Sequence, residues 1–234
     1  MVLYESFILI FTFLLLNIPI FVSLYKYVFK DLNPFSKLFI GVFYWSSAFL
    51  TNELVPFIGV LILLFRVHGK VENEMQTRDI NIWSIGFWDI ALVTGAALIF
   101  KAVINQFNKL YVNILGMYFG MEVKPQEIIG EFEVGELYYK VLLFVMVVVL
   151  APFVEEYIFR YYIYDKLLLP RMPSAVAAII STALFTLLHL NVSGIPTFFG
   201  LGLYCTFIYE KKGFYGAVIT HLVSNLVTAA FLIV

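Results

Sequence analysis

A chain of 234 residues that is 62% hydrophobic and only 13% charged lacks the charged side chains that cover a soluble globular surface. Its mean hydropathy of +0.93 is typical of an integral membrane protein surrounded by lipid. The net charge of −1 gives no basic surface for nucleic acid, and a single cysteine excludes an internal disulfide. These values exclude a soluble enzyme, a nucleic-acid-binding protein and a disulfide-rich secreted domain.

Apolar blocks follow one another along the whole chain. A helix needs about 20 apolar residues to cross the hydrocarbon core of a bilayer. The first block has no basic flank before it and is too long for a signal peptide, so we expect it to remain as a spanning helix. The pattern predicts an all-α, polytopic transmembrane helical bundle, with blocks at 6–25, 36–65, 83–104, 138–164, 173–190, 195–209 and 214–234.

The block at 36–65 is too long for one straight span, and Thr51-Asn52-Glu53-Leu54-Val55-Pro56 interrupts it. One kinked helix would give seven spans, whereas a hairpin would give eight. Lys and Arg favour the cytoplasmic side of a membrane. With a hairpin, eleven of the 15 basic residues lie on one side. The distribution therefore favours about eight spans with both termini outside. These eleven residues are Lys26, Lys30, Lys37, Arg66, Lys70, Arg78, Arg160, Lys166, Arg171, Lys211 and Lys212.

The chain divides into two parts of a single integral membrane domain. Residues 1–137 contain N-terminal transmembrane helices and loops, and residues 138–234 form a four-helix transmembrane core that carries the candidate chemistry. Between them, the acidic stretch 122–136 is interleaved with apolar residues and predicts an external, interfacial helix. Asp89, beside two tryptophans, is expected at the membrane interface.

Acidic and basic residues follow Pro152 in the core part. A charged side chain inside a bilayer costs a few kcal/mol, so it is a functional hypothesis by default. Glu156 and Arg160 are four residues apart on one helical face, the spacing of an ion pair. The adjacent Glu155 points about 100° away from Glu156, which leaves it available for chemistry.

Two histidine motifs come after these glutamates. His189 stands four residues after Phe185, and His221 stands four residues before Asn225. Peptide hydrolysis requires a base that activates water and donors that stabilise the oxyanion. We predict that Glu155 and His189 act on water. His221 and Asn225 are predicted to act on the oxyanion, with the Glu156–Arg160 pair as a brace.

The ordered set Glu155-Glu156…Arg160, Phe185…His189 and His221…Asn225 resembles the CAAX prenyl protease and bacteriocin-processing (CPBP, formerly Abi) family of intramembrane glutamate endopeptidases. The resemblance covers residues 152–225. It implies a glutamate-dependent peptidase with Glu155 as the base, and it places Phe185 against the site. The substrates it implies are prenylated C-terminal motifs in eukaryotes, or peptides in bacterial peptide processing and bacteriocin immunity.

Zinc is an alternative mechanism, because Glu155, His189 and His221 match a catalytic zinc shell. The chain has no His-Glu-x-x-His pair on one helix, which favours a metal-free peptidase without a cofactor. On ideal helices, His189 would lie about 9 Å farther from the basic side of the membrane than Glu155 and His221. Bent or tilted helices would have to bring the three residues to the same depth.

Non-enzymatic alternatives are an immunity or scaffold protein and a proton-coupled transporter, although the inverted repeats of many transporters are missing. The partners expected are membrane lipid and a peptide or protein substrate; the oligomeric state stays open. The abundance of Phe, Ile, Tyr, Lys and Asn suits an AT-rich genome and favours a bacterial plasma membrane.

Overall fold

The computed structural model describes residues 2–51, 54–68, 85–120 and 136–233. Within these ranges the regular structure is helical, and none of it is strand. Many large apolar side chains face outward, for example Phe39 at 67% and Phe107 at 60% exposure, as expected where lipid surrounds the protein. The all-α bundle and the integral membrane location are thereby confirmed. The helices long and apolar enough to cross a membrane are Leu9–Tyr27, Phe87–Phe119, Leu137–Leu168 and Val192–Ala230.

Three helices form the N-terminal part: α1 (Val2–Tyr27), α2 (Pro34–Thr51) and α3 (Leu54–His68). The block at 36–65 is thus divided into two helices. A Cβ on Gly59 would lie 3.9 Å from the Tyr44 ring. Fifteen residues would separate these positions by about 22 Å on a straight helix. Helix α3 therefore packs back alongside α2, as the hairpin interpretation requires; Asn52 and Glu53 lie outside the described residues.

Helix α4 (Phe87–Phe119) continues well past the apolar block at 83–104. The polar residues that follow this block do not stop the helix, because Asn and Lys are tolerated inside helices. It ends at Gly120, which adopts the left-handed conformation (φ 61°) and donates its N–H to the Gly116 carbonyl at 3.2 Å. The acidic stretch 122–136 lies outside the described residues except for Glu136, so the interfacial helix stays a prediction.

The C-terminal part begins with α5 (Leu137–Leu168) and α6 (Ser174–Leu188). A short 3₁₀ turn leads into the element Ile195–Ile233, which is interrupted at Gly213 (φ 70°, ψ −167°). Only glycine adopts this backbone conformation without strain. Residues 195–212 are therefore named α7 and residues 214–233 are named α8, in agreement with the two apolar blocks in this region.

Helix α4 packs mainly against the element that contains α7 and α8. Near the start of α4, Asp89 accepts a hydrogen bond from the Lys212 ammonium at 2.6 Å, at the end of α7. Both side chains are about one-third exposed. The predicted topology puts these two helix ends on the same side of the membrane, and this ion pair joins them there.

Helix α5 lies at the centre of the C-terminal part, in contact with α6, α7 and α8. Its two π-helical segments, Val145–Leu150 and Tyr157–Leu168, flank a short α-helical segment, Ala151–Glu156. Insertions of π-helix are often found at functional sites. The two adjacent glutamates stand at the end of this short segment, and the side chains that follow them, such as Phe159, are buried.

Candidate active site

The two glutamates of α5 have different surroundings. The Glu156 side chain is fully buried, whereas that of Glu155 is 18% exposed. Neighbouring residues of a helix point in directions about 100° apart. Glu156 therefore faces the protein interior, and Glu155 reaches the boundary of the buried region, with its Oε2 atom still buried.

Glu156 lies at the centre of a buried ionic cluster. Its Oε2 atom forms an ion pair with Arg160, at 3.0 Å from Nε. Its Oε1 atom accepts a hydrogen bond from Nδ1 of His221 at 2.7 Å. Arg160 and His221 are also buried, at 1% and 2% exposure. The structure thus contains the predicted Glu156–Arg160 pair and adds His221 as a second partner of this carboxylate, a contact that sequence spacing did not indicate.

Arg160 joins three helices. Its Nη2 atom donates a hydrogen bond to the Gly202 carbonyl of α7 at 3.1 Å. Its guanidinium carbon lies 4.6 Å from the centre of the Phe185 ring of α6, in cation–π geometry. A Cβ on Gly202 would lie 2.6 Å from Thr182 Cγ2, so glycine allows α6 and α7 to approach this closely. Gly202 is a site residue that sequence reasoning missed, since a glycine in an apolar helix gives little signal.

His221 lies between the two carboxylates. Because its Nδ1 donates to Glu156, its Nε2 atom points away from that residue. Nε2 lies 3.7 Å from Glu155 Oε2, beyond hydrogen-bond range. One carboxylate therefore fixes the orientation of the imidazole, and the other faces its second nitrogen.

His189 lies directly after α6 and is held by its surroundings. Its Nδ1 atom donates a hydrogen bond to the Phe185 carbonyl at 2.9 Å, and its ring stacks on Phe198 at 3.9 Å between ring centres. The Phe185 ring contacts both His189 (4.7 Å) and His221 (5.7 Å). Phe185 thus contacts two imidazoles, each of which donates its Nδ1–H to another residue. Phe198 is a second residue that the sequence motifs did not identify.

The expected depth difference between the motifs does not keep them apart. Helix α5 ends at Leu168, four residues later than its apolar block, so Glu155 stands 13 residues before that end. His189 stands 15 residues after Ser174, where α6 begins. The Phe185 ring, one turn before His189, also lies 5.7 Å from the His221 ring. The motifs of α6 and α8 therefore lie at neighbouring depths, and His221 in turn contacts the glutamates of α5.

Asn225 lies one turn after His221 on α8. Its amide donates a hydrogen bond through Nδ2 to the carbonyl of Val147, in the first π-helical segment of α5, at 2.9 Å. This contact ties α8 to α5. The amide has a second N–H, which this hydrogen bond does not use.

The residues considered for zinc are Glu155, His189 and His221. Within the described parts of the chain, no group of three His, Cys, Asp or Glu side chains is arranged to hold a metal ion. Both histidines donate Nδ1–H to an acceptor of the protein, so Nε2 is the nitrogen of each ring that could bind a metal. A zinc shell would need Glu155 and the two Nε2 atoms to meet at one point, and the described residues contain no such group of three.

Comparison with known proteins adds one match. Residues 137–227 match the model of a family described as Rce1-like, type II CAAX prenyl endopeptidase. This stretch runs from the start of α5 into α8 and includes all three motifs. No curated protein and no solved structure matches the chain. The resemblance to the CAAX prenyl protease and bacteriocin-processing family of endopeptidases is thereby confirmed over residues 137–227.

Proposed function

We propose that the protein is an intramembrane endopeptidase that hydrolyses a peptide bond in a membrane-associated peptide or protein. The observation that carries this proposal is the buried position of His221 between Glu155 and Glu156, on helices that match an endopeptidase family. An ionic cluster in apolar helices costs stability, and catalysis is a reason to keep it.

The charges of the cluster support a donor role for His221. With this imidazole protonated, the two glutamates, Arg160 and His221 sum to zero, which lowers the cost of burying them in a membrane. A protonated His221 has an N–H at Nε2 directed away from Glu156. That N–H, together with the second amide N–H of Asn225, would stabilise the oxyanion of the tetrahedral intermediate.

Glu155 is the group we assign to water activation. It is the more accessible of the two carboxylates. We assign His189 to the same water, because a neutral ring that donates Nδ1–H to the Phe185 carbonyl has an acceptor lone pair at Nε2. Glu156 does not act on the substrate in this mechanism. It orients His221, as the third group of a catalytic triad orients its base. No metal ion takes part in these steps.

The membrane and the substrate class are further parts of the proposal. The composition supports a bacterial plasma membrane. In that membrane, the substrate would be either a peptide that is matured by cleavage or a bacteriocin whose cleavage protects the cell. The matched family is described as a prenyl endopeptidase, which supports a prenylated C-terminal peptide as the other substrate class.

The test replaces Glu155 and His221 separately by alanine. Membranes from cells that make the wild-type protein are compared with membranes from cells that make Glu155→Ala or His221→Ala, and new peptide N-termini are labelled and identified. Some N-termini should appear only when the wild-type protein is present. We expect the amount of these N-termini to fall by about 100-fold or more in both variants. Glu136→Ala, at an exposed carboxylate that precedes α5, is the matched control and should leave them unchanged.

Two outcomes would overturn the proposal. One is the absence of any N-terminus that depends on the wild-type protein. The other is full cleavage in Glu155→Ala or His221→Ala. Once a cleaved sequence is known, synthetic versions of it with and without a prenyl group, presented in liposomes, distinguish the two substrate classes.

A further inference from the structure

We propose that a groove between α1 and α2, far along the chain from the candidate active site, is a binding site for an anionic phospholipid. Its phosphate would lie beside Lys30 and Lys37, and one acyl chain would lie along α2. This inference does not depend on the proposed peptidase activity.

The groove has the dimensions of a lipid chain in one leaflet. Its volume is about 720 Å³. Along α2 it runs from Pro34 to Ser46, with lining residues that recur every three or four positions and so share one helical face. Twelve residues of helix correspond to about 18 Å, slightly more than half of a hydrocarbon core about 30 Å thick.

The lining of the groove is mostly apolar. A Cβ on Gly41 would lie 3.4 Å from Phe21 Cζ, so the phenyl ring of α1 rests against this glycine and forms the floor. Leu38 and Val42 line the groove and are 66% and 60% exposed, which leaves them open to lipid. Trp45 lines the end farthest from the lysines. Such a surface suits an acyl chain better than water.

The opposite end of the groove from Trp45 is positively charged. Lys37 lines the groove there, and its ammonium donates to the Lys30 carbonyl at 3.0 Å. Residues 26–37 contain three lysines and one acid, Asp31. The N-terminus of α2 adds the positive end of a helix dipole, and Asn33 caps it by accepting the Ser36 N–H at 2.8 Å.

This basic end lies at the edge of the membrane. The candidate span Leu9–Tyr27 finishes beside Lys26, and Tyr25, whose ring lies 5.2 Å from the Lys37 ammonium, lines the groove at this level. Lipid phosphates are found at the same level. A headgroup with a net negative charge complements the lysines better than a zwitterionic one, because no amine offsets its phosphate.

Trp45 supplies a direct readout. The chain has three tryptophans, and replacing Trp83 and Trp88 by phenylalanine leaves Trp45 as the only fluorophore of this type. The protein is reconstituted in phosphatidylcholine vesicles that contain a small, equal fraction of brominated phosphatidylglycerol or brominated phosphatidylcholine, and quenching of Trp45 is measured. We expect the brominated anionic lipid to reach a given degree of quenching at a lower mole fraction than brominated phosphatidylcholine. The two mole fractions should differ by about fivefold for each lysine that contacts the headgroup.

Matched variants separate the headgroup from the chain. Lys30→Gln/Lys37→Gln should abolish the preference for the anionic lipid, whereas Lys109→Gln/Lys211→Gln removes two exposed lysines elsewhere and should preserve it. Val42→Phe/Ser46→Phe fills the groove and should reduce quenching by both brominated lipids. Val103→Phe, on the exposed face of α4, is its control.

Equal quenching by the two lipids in the reporter protein would overturn the proposal, and so would a preference that survives Lys30→Gln/Lys37→Gln. Inorganic phosphate at matched ionic strength should not displace the lipid more than chloride does, since it has no acyl chain. Selective displacement by phosphate would show a simple anion site instead of a lipid site.

Discussion

Two buried polar arrangements, one in each half of the molecule, join helices with different groups. In the N-terminal half, the Tyr44 hydroxyl donates to Asn17 Oδ1 at 3.1 Å, and the Asn17 amide donates to the Phe13 carbonyl at 3.0 Å. In the C-terminal half, Glu156 forms an ion pair with Arg160 and accepts a hydrogen bond from His221. Hydrogen bonds between neutral groups of membrane helices contribute about 0.6 kcal/mol on average, whereas breaking a buried ion pair costs about 3–5 kcal/mol. Neutral groups are sufficient to join helices, so the charged arrangement indicates a role beyond packing.

The largest effect on folding is expected from Arg160→Met. This change leaves the fully buried Glu156 carboxylate without its guanidinium partner, and it also removes the hydrogen bond to the Gly202 carbonyl. We expect the free energy of unfolding to fall by about 3–5 kcal/mol. Unfolding in mixed micelles, followed by circular dichroism as denaturant is added, measures the change.

The control for this variant is Arg171→Met, at an exposed arginine between α5 and α6. It should change stability by less than about 0.5 kcal/mol. If the two arginine variants lost the same amount of stability, the buried ion pair would contribute no more to folding than a surface charge does. The proposed difference between the two halves would then be wrong.

Gly202→Ala should have the next largest effect. The added Cβ would lie 2.6 Å from Thr182 Cγ2, so α6 and α7 must separate, and the carbonyl that Arg160 contacts must move. We expect a loss of about 1–3 kcal/mol from overpacking, together with reduced cleavage. Gly95→Ala in α4 meets nothing within 4 Å and should be neutral or stabilising, since alanine favours helix. Equal stability of the two alanine variants would contradict the close approach at Gly202.

Tyr44→Phe tests the neutral arrangement. It removes the hydroxyl that contacts Asn17 but keeps the ring, which packs against Phe21 at 5.3 Å. The expected loss of stability is about 0.6 kcal/mol, with unchanged cleavage, because this contact serves only to join α1 and α2. A large loss of cleavage at normal stability would show that the N-terminal helices take part in the reaction.

Local spacing predicted part of the candidate site, and contacts between helices account for the rest. The Glu156–Arg160 pair follows from positions four apart on one helix, which sequence alone fixes. The hydrogen bond between Glu156 and His221 joins residues 65 positions apart, and helix packing determines it. The sequence did not identify Phe198 as a site residue either, although it stacks on His189. An aromatic residue in an apolar helix usually lies in the core or against lipid, so its position does not indicate a contact with a histidine.

The fold shows a similar division. Hydropathy predicted the apolar helices and the break between α7 and α8, where Gly213 provides a conformation that other residues avoid. Hydropathy gave the wrong end for α4, because the helix continues through polar residues until Gly120 stops it. Helix ends depend on backbone conformation and capping, and hydropathy does not record either of these.

A strong chelator is expected to have the smallest effect. A catalytic zinc ion held by Glu155, His189 and His221 would need these groups to converge, but the described residues contain no group of three that could hold a metal ion, and no His-Glu-x-x-His pair stands on one helix. The glutamate mechanism requires only this carboxylate, a water molecule and hydrogen-bond donors, so removal of metal should leave the rate of cleavage unchanged. Cleavage by purified protein is measured before and after chelation, with total zinc in the sample as a second readout. If chelation abolished cleavage and added zinc restored it, the charged groups of the C-terminal half would be assigned to metal binding. The difference from the neutral contacts of the N-terminal half would then be explained by a cofactor, and not by proton transfer.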